Sequence, residues 1–141
     1  MEPVIDHIQI TVRDMAAAVP FYDRLMPLLG YDLEHRVNTV VDGHLHVCNY
    51  EHPRLGFCIS SPRDDVAEDR VHRRRPGSLH HLAFRAGSRE EVDAMHAKLV
   101  EIGATIVTEP RSYPEYGPHY YAVFFKDPDG IKLEVVHDAP E

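Results

Sequence analysis

The 141-residue sequence contains no tryptophan, only two cysteines and no long uninterrupted apolar stretch. Without such a stretch we expect no transmembrane helix. The first residues, "MEPVIDHIQI", lack the basic start and apolar segment of a secretory signal peptide. Two cysteines, Cys48 and Cys58, without a secretion signal predict reduced thiols in a cytoplasmic protein.

Basic residues are also in the minority. The chain has 15 Lys and Arg against 23 Asp and Glu, a formal net charge of -8. This balance argues against nucleic acid or an anionic membrane surface as a partner. A hydrophobic content of 43% and a charged content of 27% are typical of a folded globular protein. We therefore predict one domain over residues 1–141.

The first half of the chain reads as a strand, a helix and three further strands. "VIDHIQITV" alternates apolar and polar residues, which predicts a strand. Asp14 can cap the helix that follows and ends at Gly30, with Pro20 favouring either a late start or a kink. The next strands are predicted in "YDLEHRV", "HLHVCNY" and "RLGFCIS", separated by turn signals.

The second half repeats this order of elements. "SLHHLAFRA" predicts a strand, and Ser88 with Glu91 forms a capping box that begins a helix ending at Gly103. Strands are predicted in "TIVTEP", "HYYAVFF" and "IKLEVV", the last two joined by the turn "DPDG". The pattern indicates an α+β fold of two βαβββ modules, at about residues 3–61 and 78–138, with a charged linker at 62–77. Because each helix covers one sheet face only, we expect a curled mixed sheet around a cleft.

Strand alternation places His7, His81 and Glu134 on the sides that face away from the helices. A solvated face would explain any one of them, since Glu and His are often exposed. Together, two imidazoles and one carboxylate are a common ligand set for a divalent transition metal, and they leave positions open for water or substrate. The sequence therefore predicts a metal site at these three residues.

Other side chains share the predicted cleft-facing alternation. We interpret Gln9, Arg85, Tyr120 and Phe124 as substrate contacts, with Arg85 able to balance an anionic substrate. No catalytic acid or base is singled out by the pattern.

A second possible metal set lies in "GHLHVC", where strand spacing puts three side chains on one face: His44, His46 and Cys48. A coincidence of strand alternation explains that set as well.

The phrases "IDHIQITVRD…FYDRLMPLLGY" and "LHHLAF…IGA…FFKDPDGIKLEVV" resemble the vicinal oxygen chelate superfamily, which contains glyoxalases, bleomycin-resistance proteins and dioxygenases. The resemblance implies paired βαβββ modules around a divalent metal ion (Zn, Ni, Mn or Fe), often in homodimers. The family's metal ligands fall on His7, His81 and Glu134. It implies a glyoxalase-like enzyme of the lyase, isomerase or transferase type acting on a small substrate with vicinal oxygens.

Departures from the family's patterns bear on the activity. Laying "RLGFC" against "KLEVV" puts Gly56 where glyoxalase I has a fourth ligand, which argues against methylglyoxal isomerisation with a mobile glutamate base. Extradiol dioxygenases have a tyrosine where this chain has Phe124. A ferrous dioxygenase is thus one alternative, and a metal-free protein that binds drug-like molecules is another.

Overall fold

The computed structural model describes residues 3–140 and divides between Arg70 and Val71 into two compact units. Each unit contains one α-helix and one open, mixed four-stranded sheet. The α+β class and the two βαβββ modules are thereby confirmed. Within the described residues, no helix combines the length and apolar character that crossing a membrane requires. The treatment of the whole chain as one domain stays a prediction.

The first unit has the elements β1 (His7–Thr11), α1 (Met15–Leu28), β2 (Arg36–Val41), β3 (Leu45–Tyr50) and β4 (Gly56–Ser60). Its sheet order is β1-β4-β3-β2, with β1 parallel to β4 and the other neighbours antiparallel. The core-facing side chains of α1 are almost completely buried: Phe21, Tyr22, Leu25 and Met26.

The helix α1 begins directly after its cap. The Asp14 carboxylate accepts hydrogen bonds from the amides of Ala16 and Ala17, which satisfies donors that a helix start leaves free. Pro20 therefore lies inside the helix and not in its first turn, so the predicted late start is wrong. The helix ends before Gly30, whose φ of +93° suits a glycine.

The strand predicted in "YDLEHRV" is corrected by the structure. Residues Leu33–His35 form a short 3-10 helix, and β2 starts only at Arg36 and runs to Val41. The Asp32 carboxylate accepts a hydrogen bond from the Glu34 amide at 2.9 Å, which stabilises a turn in place of extended backbone. β2 extends past the end of the predicted stretch because all six of its residues pair with β3.

The second unit has the elements β5 (Leu82–Arg85), α2 (Arg89–Glu101), β6 (Thr105–Ser112), β7 (Tyr121–Lys126) and β8 (Lys132–His137). Its sheet order, β5-β8-β7-β6, matches that of the first unit, with β5 parallel to β8. The Ser88 hydroxyl accepts from the Glu91 amide at 3.2 Å, as the predicted cap requires. The Glu91 carboxylate accepts from Gly87, one residue earlier than a standard capping box.

The turn before β8 fixes where that strand begins. The carboxylate of Asp127, which is 3% exposed, accepts from the amides of Asp129 and Ile131 at 2.9 and 2.8 Å. Gly130 has a φ of +87°, a conformation that glycine adopts without strain. The "DPDG" stretch is therefore a tight connection that leads β7 directly into β8 and carries Glu134 into the middle of the second sheet.

Candidate metal centre

Glu134 is the centre of the candidate site. It lies on β8 between Ala83 of β5 and Phe124 of β7, and its side chain is fully buried. Oε1 accepts a hydrogen bond from the Tyr120 hydroxyl at 2.5 Å. Oε2 has no hydrogen-bond partner within residues 3–140. Burial raises the pKa of this carboxyl group, while the Tyr120 bond and the positive charge of Lys132 oppose the rise.

His81 immediately precedes β5 and faces the free oxygen of Glu134. Its Nε2 lies 3.2 Å from Oε2, yet Oε2 receives no hydrogen bond, so no ring N–H is directed at it. Nδ1 lies 2.7 Å from Nδ1 of His80, where one nitrogen donates and the other accepts. Partial burial, followed by the charges of Lys132 and Arg73, lowers the pKa of His81, which favours the neutral ring at pH 7.

His7 begins β1 in the first unit, and its side chain is 69% exposed. Its Nδ1 lies 2.7 Å from the Asp6 carboxylate, which leaves Nε2 uncommitted by this contact. The ring lines a groove of about 490 Å³ within the first unit, together with Gln9, Gly56 and Cys58. Within residues 3–140, no three side chains of the metal-binding types form one cluster. The structure thus brings together His81 and Glu134 and describes His7 in its own unit.

The distance between His81 Nε2 and Glu134 Oε2 matches that expected for two ligands of one metal ion. Atoms that each lie about 2.1 Å from a metal are roughly 3.0 to 3.4 Å apart at ligand angles of about 90 to 109°. The observed 3.2 Å falls in this interval. Oε2 is buried and accepts no hydrogen bond, so a bound cation would give this oxygen a partner. The residues present therefore fit a divalent metal.

Asp6 and His80 are the residues that the sequence reasoning missed. Each directly precedes a predicted ligand, His7 or His81, and each contacts Nδ1 of that ligand at 2.7 Å. Such outer contacts fix the ring orientation and the tautomer of a metal-binding histidine. The adjacent pairs "DH" and "HH" are visible in the sequence. Strand alternation points neighbouring side chains to opposite faces, so it does not predict a contact within either pair.

Two of the predicted substrate contacts, Tyr120 and Phe124, belong to an aromatic cluster beside Glu134. The Phe124 ring packs edge-to-face against His81, with centroids 6.0 Å apart, and against Tyr113 at 5.4 Å. The ammonium group of Lys132 lies 4.3 Å from the Phe124 centroid. Phe124 itself is only 6% exposed. The cluster therefore forms one apolar wall around the buried carboxylate, with a cation at its side.

The other two predicted substrate contacts lie apart from this cluster. Gln9 is exposed on β1 and lines the groove of the first unit. Arg85 is exposed at the end of β5, opposite Val136.

The second possible metal set is not assembled. His44 lies in the turn before β3 with its Nδ1 near the Asp42 carbonyl, His46 contacts Asn38 at 2.6 Å, and Cys48 is fully buried. No metal-binding cluster forms there or elsewhere among the residues described. The strand spacing of these three residues was therefore a coincidence of alternation.

The helix caps show which residues of the two units are equivalent in sequence. His7 stands seven residues before the cap Asp14, and His81 stands seven residues before the cap Ser88. The two histidines therefore occupy equivalent positions in their units.

The backbone hydrogen bonds extend this equivalence to the parallel strands. The Val12 amide donates to the Ser60 carbonyl at 2.9 Å, and the Ala86 amide donates to the Val136 carbonyl at 2.8 Å. Val12 follows His7 by five residues, as Ala86 follows His81. Ser60 in the first unit therefore corresponds to Val136 in the second.

It follows that Cys58, two residues before Ser60, corresponds to Glu134. The prediction that Gly56 takes this place is wrong by two residues. Gly56 is instead the direct partner of His7 in the parallel pair of β1 and β4. The error arose because a slip of two residues keeps every side chain on the same face of a strand, so the apolar pattern could not detect it.

Comparisons with known proteins agree with this architecture. A model of the Glyoxalase/Bleomycin resistance protein/Dioxygenase superfamily matches residues 4–135. The uncharacterised protein YqjT of Bacillus subtilis (strain 168) is 32% identical over 130 residues, which cover 92% of this chain and 95% of that protein. A solved structure from Bacillus halodurans, provisionally assigned as a glyoxalase, is 31% identical with a TM-score of 0.76 over 97% of each chain.

A lactoylglutathione lyase from Agrobacterium tumefaciens has the same fold, with a TM-score of 0.64 and 22% identity over 97% of this chain and 95% of that one. The family model spans nearly the whole sequence. The observed order of helices and strands is the one that the resemblance to the superfamily implied. The chain therefore belongs to the Glyoxalase/Bleomycin resistance protein/Dioxygenase superfamily.

Proposed function

We propose that this chain is a metal-dependent, glyoxalase-like enzyme that acts on a small substrate with two adjacent oxygen atoms. In this proposal His7, His81 and Glu134 hold the divalent ion. The observation that carries it is the buried Glu134 carboxylate, whose Oε2 accepts no hydrogen bond and lies 3.2 Å from His81 Nε2. Two ligand atoms this close together, with no hydrogen bond to Oε2, are what a cation site requires.

The energetics of Glu134 support a bound cation. An ionised carboxylate loses its hydration on burial, which is unfavourable unless hydrogen bonds or opposite charges replace the water. Here the Tyr120 hydroxyl satisfies one oxygen, and Lys132 contributes at longer range. The remaining oxygen, Oε2, accepts no hydrogen bond. A divalent ion would supply the missing interaction for Oε2 and would also bind Nε2 of His81.

When bound, the ion would polarise substrate oxygens as a Lewis acid. The chain's own residues would bind and orient the substrate around it. Phe124 and its neighbours would exclude water on one side of Glu134, and Lys132 would favour negative charge there. Gln9 and Arg85, both exposed, would contact polar groups of the substrate. This role suits lyase, isomerase and transferase reactions alike.

The relatives support the glyoxalase-like class. The Bacillus halodurans structure is similar to this chain over 97% of each chain at 31% identity. Within the proposal the protein is a cytoplasmic homodimer, as family members often are. Light scattering after size-exclusion chromatography would measure the oligomeric state.

The proposal is tested by metal content and affinity. Protein purified without chelator is analysed by inductively coupled plasma mass spectrometry, and the affinity for Zn²⁺ is measured by competition with a chromophoric chelator. We expect about one ion per chain, and Glu134→Gln should weaken binding by at least about 100-fold. Glu109→Gln, at an exposed position of β6, is the matched control and should bind as the parent does.

Three outcomes would contradict the proposal in different ways. A parent protein without metal affinity that retains flat drug-like molecules would instead be a binding protein. Oxygen uptake with Fe²⁺ and a catechol would make it a dioxygenase. Glu134→Gln with the parent's Zn²⁺ affinity would remove Glu134 from the ligand set.

A further inference from the structure

We infer that Tyr120 is a positioning residue that makes Glu134 a ligand through one oxygen only. This inference rests on the proposed metal site and assigns a task to a residue outside the ligand set. The substrate contact predicted for Tyr120 from the sequence stays a prediction beside this role. The structural basis is the different environment of the two oxygens of Glu134, one engaged by Tyr120 and the other left free.

The contact between Tyr120 and Glu134 is short and partly buried. The phenol donates to Oε1 at 2.5 Å, within the range of a strong O–H···O⁻ bond. Oε1 is thereby taken up by a proton donor, while Oε2 faces Nε2 of His81. A carboxylate whose second oxygen accepts a strong hydrogen bond is disfavoured as a bidentate ligand. Glu134 would therefore fill one coordination position and leave another open to substrate.

The backbone around Tyr120 holds the phenol in place. The Tyr113 amide donates to the Tyr120 carbonyl at 2.9 Å, and the Tyr120 amide donates to the Gly117 carbonyl at 3.4 Å. The ring lies edge-on to Tyr113 and to Tyr116, with interplanar angles of 82° and 74°. These contacts restrict the ring, so little conformational entropy remains to be lost when the phenol orients the carboxylate.

A small residue gives the phenol access to Glu134. Ala122 on β7 lies between Phe124 and Tyr120, which directly precedes the strand, and it is completely buried. Phe124 is the direct partner of Glu134, and Ala122 is the direct partner of Val136. Because Tyr120 is four residues from Phe124, its ring must lean along the strand, and it packs against the cluster of Tyr113, Ala122 and Phe124. A larger side chain at position 122 would take up that space.

A purely structural role is the competing explanation. Tyr120 could serve only to satisfy a buried oxygen, in which case its loss would lower the stability of the protein and leave the metal unaffected. The positioning role differs because it predicts a change in the number of protein oxygen atoms bound to the ion. That number is visible in the absorption of Co²⁺, since the intensity of its d–d bands depends on coordination number and geometry.

The test compares Tyr120→Phe with Tyr121→Phe by Co²⁺ titration and absorption spectroscopy. The Tyr121 hydroxyl donates to the exposed Asp93 at 2.8 Å, so this neighbour loses the same chemical group away from Glu134. We expect Tyr120→Phe to weaken Co²⁺ binding by about 10- to 100-fold and to alter the d–d bands. Tyr121→Phe should match the parent in both measurements. Circular dichroism confirms that each variant is folded.

A third measurement separates an effect through Glu134 from a general one. In the Glu134→Gln background, adding Tyr120→Phe should change the residual Co²⁺ affinity by less than about twofold. A parent protein that takes up no Co²⁺ would contradict the proposed function and this role with it. A parent that binds Co²⁺, combined with a Tyr120→Phe variant of equal affinity and spectrum, would contradict the role of Tyr120 alone.

Discussion

Gly56 lies directly opposite His7 in the parallel pair of β1 and β4. A Cβ on Gly56 would lie 3.0 Å from the Cβ of His7, tighter than most such contacts in proteins. A side chain at position 56 would therefore push His7 away by a few tenths of an ångström, which favours glycine there. This packing explains why position 56 is a glycine. The residue equivalent to Glu134 is Cys58.

The first prediction compares Cys58→Glu with Gly56→Glu. Cys58→Glu places a carboxylate at the position equivalent to Glu134, on the wall of the groove that contains His7. We expect it to tighten Zn²⁺ binding by roughly 10-fold, because an additional anionic oxygen attracts the cation. Gly56→Glu should weaken binding instead, since its Cβ displaces His7. Both affinities are measured by chelator competition. Tighter binding by Gly56→Glu than by Cys58→Glu would contradict the assignment of Cys58 as the residue equivalent to Glu134.

Cys58→Gln is the matched control for the charge. It has nearly the same shape as the glutamate variant and lacks the negative charge. It should therefore leave the Zn²⁺ affinity within about threefold of the parent if the carboxylate is the cause of the tightening. Equal tightening by Gln and Glu would show that the loss of the thiol, and not the new oxygen, is responsible.

The sequence predicted the elements of this fold because their signals are local. Asp14 and Ser88 cap the two helices by contacts over two or three residues, and alternation identifies the strands. The alignment of the two units could not be predicted in the same way. It depends on backbone pairing between segments far apart in the chain, such as Ser60 with Val12. A shift by two residues leaves the apolar pattern unchanged.

The second prediction concerns a buried polar contact between α1 and β3. The Tyr50 hydroxyl donates to Asp23 at 2.9 Å, and Asp23 also pairs with Arg36. Tyr50 is completely buried, and desolvation raises its pKa. Tyr50→Phe leaves one Asp23 oxygen without this donor, and we expect a loss of about 1 to 2 kcal/mol in the free energy of unfolding. Urea denaturation measures it.

Tyr121→Phe is a suitable control for that experiment, because its partner Asp93 is exposed. Water replaces the lost hydrogen bond there, so the change in unfolding free energy should stay within about 0.5 kcal/mol. Equal losses for the Tyr50 and Tyr121 variants would mean that burial does not determine the strength of these contacts.

The third prediction concerns the orientation of His7. Asp6 contacts Nδ1 of His7 at 2.7 Å, and its removal should free the ring to rotate and to change tautomer. We expect Asp6→Ala to weaken Zn²⁺ binding by about 10-fold. Asp32→Ala is the control, since Asp32 lies 3.9 Å from Nδ1 of His35, outside the candidate site. An unchanged affinity in Asp6→Ala would show that the contact does not orient a ligand.

The candidate site was only partly visible in the sequence. Strand alternation and the family motifs identified His81 and Glu134, whose Nε2 and Oε2 atoms lie 3.2 Å apart in the structure. The complete burial of Glu134 was not predictable, because it depends on how Tyr120 and Phe124 pack over the carboxylate. Side-chain packing of this kind requires three-dimensional coordinates, whereas the face of a strand can be obtained from residue order alone.

The last prediction concerns the pH dependence of stability in the metal-free protein. Burial raises the pKa of Glu134 in the folded state above its value of about 4.3 in an unfolded chain. Between these two pKa values the folded protein binds more protons than the unfolded one. The contribution of Glu134 to stability is therefore greatest below about pH 4 and is lost as the pH rises through the folded pKa.

Glu134→Gln should abolish this dependence and raise the melting temperature of the metal-free protein at pH 7.5. The neutral amide loses less hydration on burial, and its oxygen can still accept from Tyr120. We expect an increase of about 2 to 5 °C, equivalent to about 1 kcal/mol. Melting curves of parent and variant in a chelating buffer, from pH 5 to 8, should diverge as the pH rises. Parallel curves would mean that Glu134 is not destabilised in its ionised form, which would remove the energetic reason for a cation at this position.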